Sequence, residues 1–104
     1  MSWIPVAAAA AIADGDYAQT EIDGALIAVF NIHGTFYAIE DVCTHDGGEL
    51  AGGAIDGNVV VCPRHGARFC LRTGAALTPP AYEPVRTFET RIQDGMVEVN
   101  SGSA

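Results

Sequence analysis

With 104 residues the chain has room for one domain and none for a second independent core. Thirteen acidic residues stand against five arginines and no lysine, a net charge of −8 that repels nucleic-acid phosphates, so DNA and RNA are poor partners. The same field suits a protein partner with a basic docking patch.

Trp3 to Val6 reads as a first strand, and Ala7 to Ala13 as an alanine-rich turn of helix or irregular segment stopped by Asp14-Gly15-Asp16. The apolar stretch from Trp3 to Ala13 has no basic residues ahead of it and is broken by Pro5. It resembles neither a signal peptide nor a spanning helix, which predicts a cytoplasmic protein with no membrane partner. Tyr17 to Ile22 and Ala25 to Ile32 are strand-like runs joined by Asp23-Gly24, a dipeptide that accepts positive φ in a tight hairpin turn. His33-Gly34 turns the chain into Phe36 to Glu40, and that histidine is expected to be a solvated turn residue.

From Asp41 to Pro80 the texture changes to glycine, cysteine, histidine and arginine, with one clear short strand at Asn58 to Val61 and a shorter one around Cys70. A final hairpin runs from Thr87 to Gln93 and from Met96 to Asn100 around Asp94-Gly95, and Ser101 to Ala104 should fray. The expectation is an all-β chain: an antiparallel β-sandwich base (1–40 and 81–100) with a loop-rich subdomain inserted at about 41–80. Chemistry belongs in the insertion, where loops stand on a rigid sheet.

Three cysteines cannot all pair, and metal binding is a better use for them than a disulfide framework. The insertion carries Cys43-x-His45 and Cys62-x-x-His65. In an extended loop the one-residue gap of the first pair projects both side chains to the same side. Structural zinc ligands more often lie two to four residues apart within a pair, so the spacing leans away from zinc, although a zinc-stabilised binding module without redox activity stays open. Cys70, between Phe69 and Leu71, is expected to be a buried inert thiol. Asp46 and Glu49 follow His45 and are read as solvating the loop rather than tuning the imidazole's proton affinity, and Arg64, Arg68 and Arg72 as either a docking feature or local ion pairs with the acidic loops. Gly47, Gly48, Gly52, Gly53, Gly66 and Gly74 should let the backbone approach the metal site and aim N–H groups at sulfur.

Cys43-Thr44-His45 and Cys62-Pro63-Arg64-His65-Gly66 resemble the two binding loops of Rieske proteins, and the likeness extends to Phe69, Thr73-Gly74 and the Pro79-Pro80 pair. The resemblance implies a Rieske fold and one Rieske-type [2Fe–2S] cluster, with Cys43 and Cys62 on one iron and His45 and His65 on the other. Two thiolates neutralise an oxidised core that four would leave doubly negative, so an electron is added more easily, at roughly −150 to +300 mV. Where high-potential respiratory members carry a serine and a tyrosine after His-Gly, this sequence has Ala67 and Phe69. Both hydroxyl donors to the sulfurs are absent, which predicts a potential near the lower end of that span. Gly48 and Arg64 stand where those proteins join their loops by a disulfide, so none is expected.

The sequence therefore resembles the ferredoxins of bacterial aromatic-ring dioxygenases. That likeness implies a soluble, monomeric one-electron carrier between a flavin-containing, NAD(P)H-dependent ferredoxin reductase and a terminal oxygenase, with no substrate site of its own. The small Rieske subunit of an assimilatory nitrite reductase shares the motif and is the alternative.

Overall fold

The computed structural model describes residues 2–102, and they form three antiparallel sheets. The base sheet is β1 (Trp3–Ala8), β10 (Met96–Asn100) and β9 (Thr90–Gln93), in that order. The middle sheet is β2 (Tyr17–Ile22), β3 (Ala25–Ile32), β4 (Thr35–Glu40) and β8 (Thr87–Phe88). The third is β5 (Ile55–Asp56), β6 (Val59–Val61) and β7 (Arg68–Cys70).

Each long hairpin closes on two successive residues with positive φ: Asp23-Gly24, His33-Gly34 and Asp94-Gly95. That pair of left-handed residues matches the twist of the flanking strands and fixes their register. Tyr17 thereby faces Phe30, and Phe30 faces Tyr37.

β3 explains how the layers hold together. Its residues alternate between two cores: Ala28, Phe30 and Ile32 join Leu50, Val60, Phe69 and Leu71 on one side, while Ile27 and Val29 meet Phe88, Val97 and Val99 on the other. A strand covered on both faces reads as a continuous apolar run, as Ala25 to Phe30 does. Burying a side chain such as Phe30 or Phe69 contributes about 1.5–3 kcal/mol. The third sheet is thus bonded through apolar packing to the middle one, and Cys43 and Cys62 sit in that same core.

Several expectations are corrected. β1 extends to Ala8, because Ala7 and Ala8 pair with Val97 and Met96; only Ala9–Ala11 form a helical turn, of the 3-10 kind. The stretch from Thr87 to Gln93 is broken at Glu89, so that β8 pairs with β4 in the middle sheet and β9 with β10 in the base. One run of chain therefore stitches two layers. Ser101 is held rather than frayed, its N–H donating to the Ser2 carbonyl at 2.8 Å. Ser103 and Ala104 lie outside the described residues. His33 is exposed in its turn, as expected, with Nδ1 3.1 Å from Asp14.

Candidate metal centre

After β4 the chain enters the first of two loops built on one plan. The Cys43 carbonyl accepts the Gly47 N–H at 2.7 Å, and the Cys43 N–H donates to the Gly48 carbonyl at 2.7 Å. The second loop repeats this one for one: the Cys62 carbonyl accepts from Gly66 at 3.0 Å and the Cys62 N–H donates to Ala67 at 2.7 Å. Gly47 and Gly66 occupy equivalent positions with φ of 78° and 75°, a region that disfavours a side chain. Each turn folds its own backbone over its sulfur. Cys43 receives N–H groups from His45 and Asp46, and Cys62 from Arg64 and His65.

Both loops rest on the β-framework. The Asp41 carboxylate, 4% exposed, accepts N–H groups from Leu50 at 2.7 Å and Ala51 at 2.9 Å and the Gln19 amide at 2.6 Å, which pins the end of the first loop to β2. Thr44 donates its hydroxyl to the Glu83 carbonyl at 2.6 Å, tying that loop to the proline segment 79–84, whose Pro79-Pro80 bond is cis. Gly53 is bare because a Cβ there would stand 1.9 Å from the Val61 carbonyl oxygen, so the two loop ends run together.

The framework brings the four predicted ligands into two facing pairs. Cys43 and Cys62 are buried, and their sulfurs and an Asp46 carboxylate oxygen lie within 4.8 Å of one another. His45 and His65 are exposed, with ring centroids 5.1 Å apart and planes at 86°. Burial pushes the Cys43 thiol up. Burial acts on Cys62 too but is outweighed by N–H groups from Arg64 and His65, the neighbouring Cys43 and the Arg64 guanidinium, which draw that thiol down.

Asp46 and Glu49 do more than solvate the loop. Arg64 forks onto Asp46, with Nε to Oδ2 at 2.6 Å, and holds that carboxyl well below the usual range. Glu49 accepts the Gln19 amide at 2.8 Å. Arg68 is also locally paired, with Asp56. Local ion pairing is thus the alternative found for Arg64 and Arg68, though the sequence did not name the partners, and it missed the Asp41 arrangement, whose partners are joined only by folding. Cys70 is half-buried rather than buried; its turn repeats the same plan, and the Thr73 hydroxyl lowers its thiol. Among the described residues it does not join the thiols of Cys43 and Cys62.

Two buried thiols under converging N–H groups, beside two imidazoles at the surface, are a soft mixed-donor set suited to iron–sulfur ligation. Residues 2–89 match the family described as the Rieske [2Fe-2S] domain. The chain belongs to the Rieske [2Fe-2S] domain family. Its cofactor is accordingly one Rieske-type [2Fe–2S] cluster, and the donors present fit that group. Among curated proteins this Rieske chain is similar to the biphenyl dioxygenase ferredoxin subunit of Pseudomonas sp. strain KKS102, 40% identical over 91 residues, spanning 86% of this chain and 84% of that one. Among solved structures it is similar to a chain in the complex of reduced oxygenase and oxidised ferredoxin of carbazole 1,9a-dioxygenase, at 35% identity and TM-score 0.91, over 98% of this chain and 95% of that one. The carbazole 1,9a-dioxygenase ferredoxin of Nocardioides aromaticivorans IC177 gives 27% identity and TM-score 0.90, over 95% and 97% of the two chains. A small subunit of an NADPH nitrite reductase, at 20% identity and TM-score 0.82 over 97% and 100%, shares the fold alone. Among the described residues no helix is long and apolar enough to cross a membrane.

Proposed function

We propose that this Rieske chain is the one-electron carrier of an aromatic-ring hydroxylating dioxygenase system, taking electrons from a flavin-containing, NAD(P)H-dependent ferredoxin reductase and delivering them to a terminal oxygenase. The observation that carries the reading is the pairing of buried thiols with exposed imidazoles on two facing loops. In this reading Cys43 and Cys62 hold one iron from the inside and His45 and His65 hold the other at the surface. When bound, the cluster accepts and donates a single electron at a potential set by its two neutral ligands.

The protein's own residues do the rest. Backbone N–H groups of the two turns offset negative charge on the sulfurs, and the apolar layer of Leu50, Phe69 and Leu71 keeps water from them. The exposed imidazoles give a partner a short path to the metal. Segment 41–80 is the cluster-binding unit in this scheme and the flanking strands are its support.

Catalysis belongs to the partner. With His45 and His65 taken as cluster ligands, His33 is the one histidine left and it pairs with Asp14 in an exposed turn, so the chain lacks the two further histidines that a mononuclear oxygen-activating iron requires. A charge of −8 favours brief electrostatic encounters with basic docking patches, as suits a monomeric shuttle in the cytoplasm.

The test is reconstitution of the pathway. Cluster-loaded protein should be reduced by NADH through a purified flavoprotein reductase and should restore turnover by a terminal oxygenase. A stable complex with a sirohaem subunit, together with no support of oxygenase turnover, would displace this reading.

A further inference from the structure

The guanidinium of Arg64 fills the seam between the two loops. Nε and Nη2 donate to the two oxygens of Asp46 at 2.6 and 3.1 Å, and Nη1 donates to the Glu49 carbonyl at 2.9 Å. Nη2 also lies 3.4 Å from Cys62 Sγ. One side chain of the second loop thus binds two residues of the first while touching a sulfur of its own. Asp46, held in this way, also accepts the Gly48 N–H at 2.9 Å and stands 3.4 Å from His65 Nε2.

Gly48 supplies an independent sign that the seat is built for this group. Its φ does not lie in the left-handed region, so backbone conformation does not require glycine there. A Cβ at Gly48 would lie 2.5 Å from Arg64 Cζ and 2.6 Å from Nη2, so the guanidinium would have to leave its present seat. Arginine suits the place because its planar fork meets both carboxylate oxygens at once, which a lysine cannot do.

We propose that Arg64 is a latch that fixes the spacing of the two binding loops and presents positive charge to the Cys62 sulfur, with Gly48 kept bare to seat it. Arg64 is a positioning residue, and the inference rests on reading Cys43, His45, Cys62 and His65 as the cluster ligands. Two effects follow from different parts of the group. The charge next to sulfur favours the reduced, more negative site, and it also screens that sulfur from Asp46. Removing it leaves an unscreened carboxylate behind, and both changes lower the midpoint potential. The fork, separately, holds the loops together and slows loss of the cluster.

The experiment compares cluster-loaded wild type, Arg64→Gln, Arg64→Lys, Gly48→Ala and the Arg64→Gln/Gly48→Ala double variant by voltammetry and by the rate of cluster loss to a chelator. Arg64→Gln should shift the midpoint negative and lose its cluster about tenfold faster, the scale of losing a partner that orients ligands. Gly48→Ala, which displaces the guanidinium from its fork while keeping its charge, should release cluster as fast as Arg64→Gln with a smaller negative shift of the midpoint. The double variant should be no worse than Arg64→Gln alone, because both changes remove one interaction. Arg64→Lys should stay near the wild-type potential and still release cluster fast. Wild-type potential and release rate in Arg64→Gln, or additive effects in the double variant, would overturn the latch. An Arg64→Lys potential as low as that of Arg64→Gln would overturn its electrostatic half. The ligand reading fails separately: wild-type protein that shows no mixed-ligand cluster spectrum removes both, whereas a normal wild-type spectrum with an unchanged Arg64→Gln sinks the latch alone.

Discussion

Asp41→Ala removes a buried carboxylate that accepts hydrogen bonds from Leu50, Ala51 and Gln19. Each bond to a charged acceptor is worth about 1.5–3 kcal/mol. The substitution also relieves the several kcal/mol of desolvation that a buried carboxylate carries. The net loss should be about 2–4 kcal/mol, roughly a 30- to 1000-fold fall in the folded-to-unfolded ratio. Asp41→Asn keeps an oxygen for the Leu50 and Ala51 N–H groups and disturbs only the Gln19 side, so it should cost about 1 kcal/mol. The assay is urea unfolding of the cluster-loaded protein, with amide hydrogen exchange at Leu50 and Ala51. Exchange should accelerate at both amides in Asp41→Ala and stay slow in Asp41→Asn. If alanine costs no more than asparagine, and the Leu50 amide stays protected in both, Asp41 is not what holds the first loop to β2.

Gly53→Ala drives a methyl into the Val61 carbonyl and should destabilise by about 2 kcal/mol, lowering Tm by roughly 8–16 °C in a calorimetric scan; an unchanged Tm would show that the loop ends have room. The Asp14 carboxyl is lowered from its ordinary 3.8 chiefly by the His33 backbone N–H, so it adds stability above that value and loses it as pH falls through the lower, folded one. Asp14→Asn should therefore narrow its gap from wild type as pH drops from 5 towards 2 in acid-unfolding curves, and a gap that widens would reverse the sign. The midpoint potential should lie near roughly −150 mV, and Ala67→Ser together with Phe69→Tyr should raise it; a wild-type midpoint well above 0 mV would contradict the reading that missing hydroxyls keep it low.

Much of this was written locally. Asp23-Gly24 and Asp94-Gly95 announced hairpins because their geometry depends on two adjacent residues, and the structure gives both positive φ. Cys43-x-His45 and Cys62-x-x-His65 announced a metal site because each half is a short-range pattern, and the fold sets the halves facing each other. What escaped depends on sequence-distant partners. Ala7 and Ala8 favour helix by propensity, but pairing with Val97 and Met96 overrides that preference. Glu89 breaks what reads as one strand, since the choice between β4 and β10 as partner is made by layers that no local window contains. Arg64 and Asp46 are 18 residues apart, and nothing about a charged residue in a glycine-rich loop says which opposite charge it will meet. Asp41 reads only as the first residue of the loop-rich insertion. Only the return of Leu50 and Ala51 to its carboxylate makes it an anchor.

Electron–nuclear resonance on the reduced protein addresses the ligand set most directly. Wild type should show a mixed-ligand cluster with coupling to two imidazole nitrogens, and His45→Ala and His65→Ala should each abolish that signature. A colourless zinc-loaded wild type, or a His65→Ala protein with unaltered iron content and spectrum, would contradict a cluster held by Cys43, His45, Cys62 and His65.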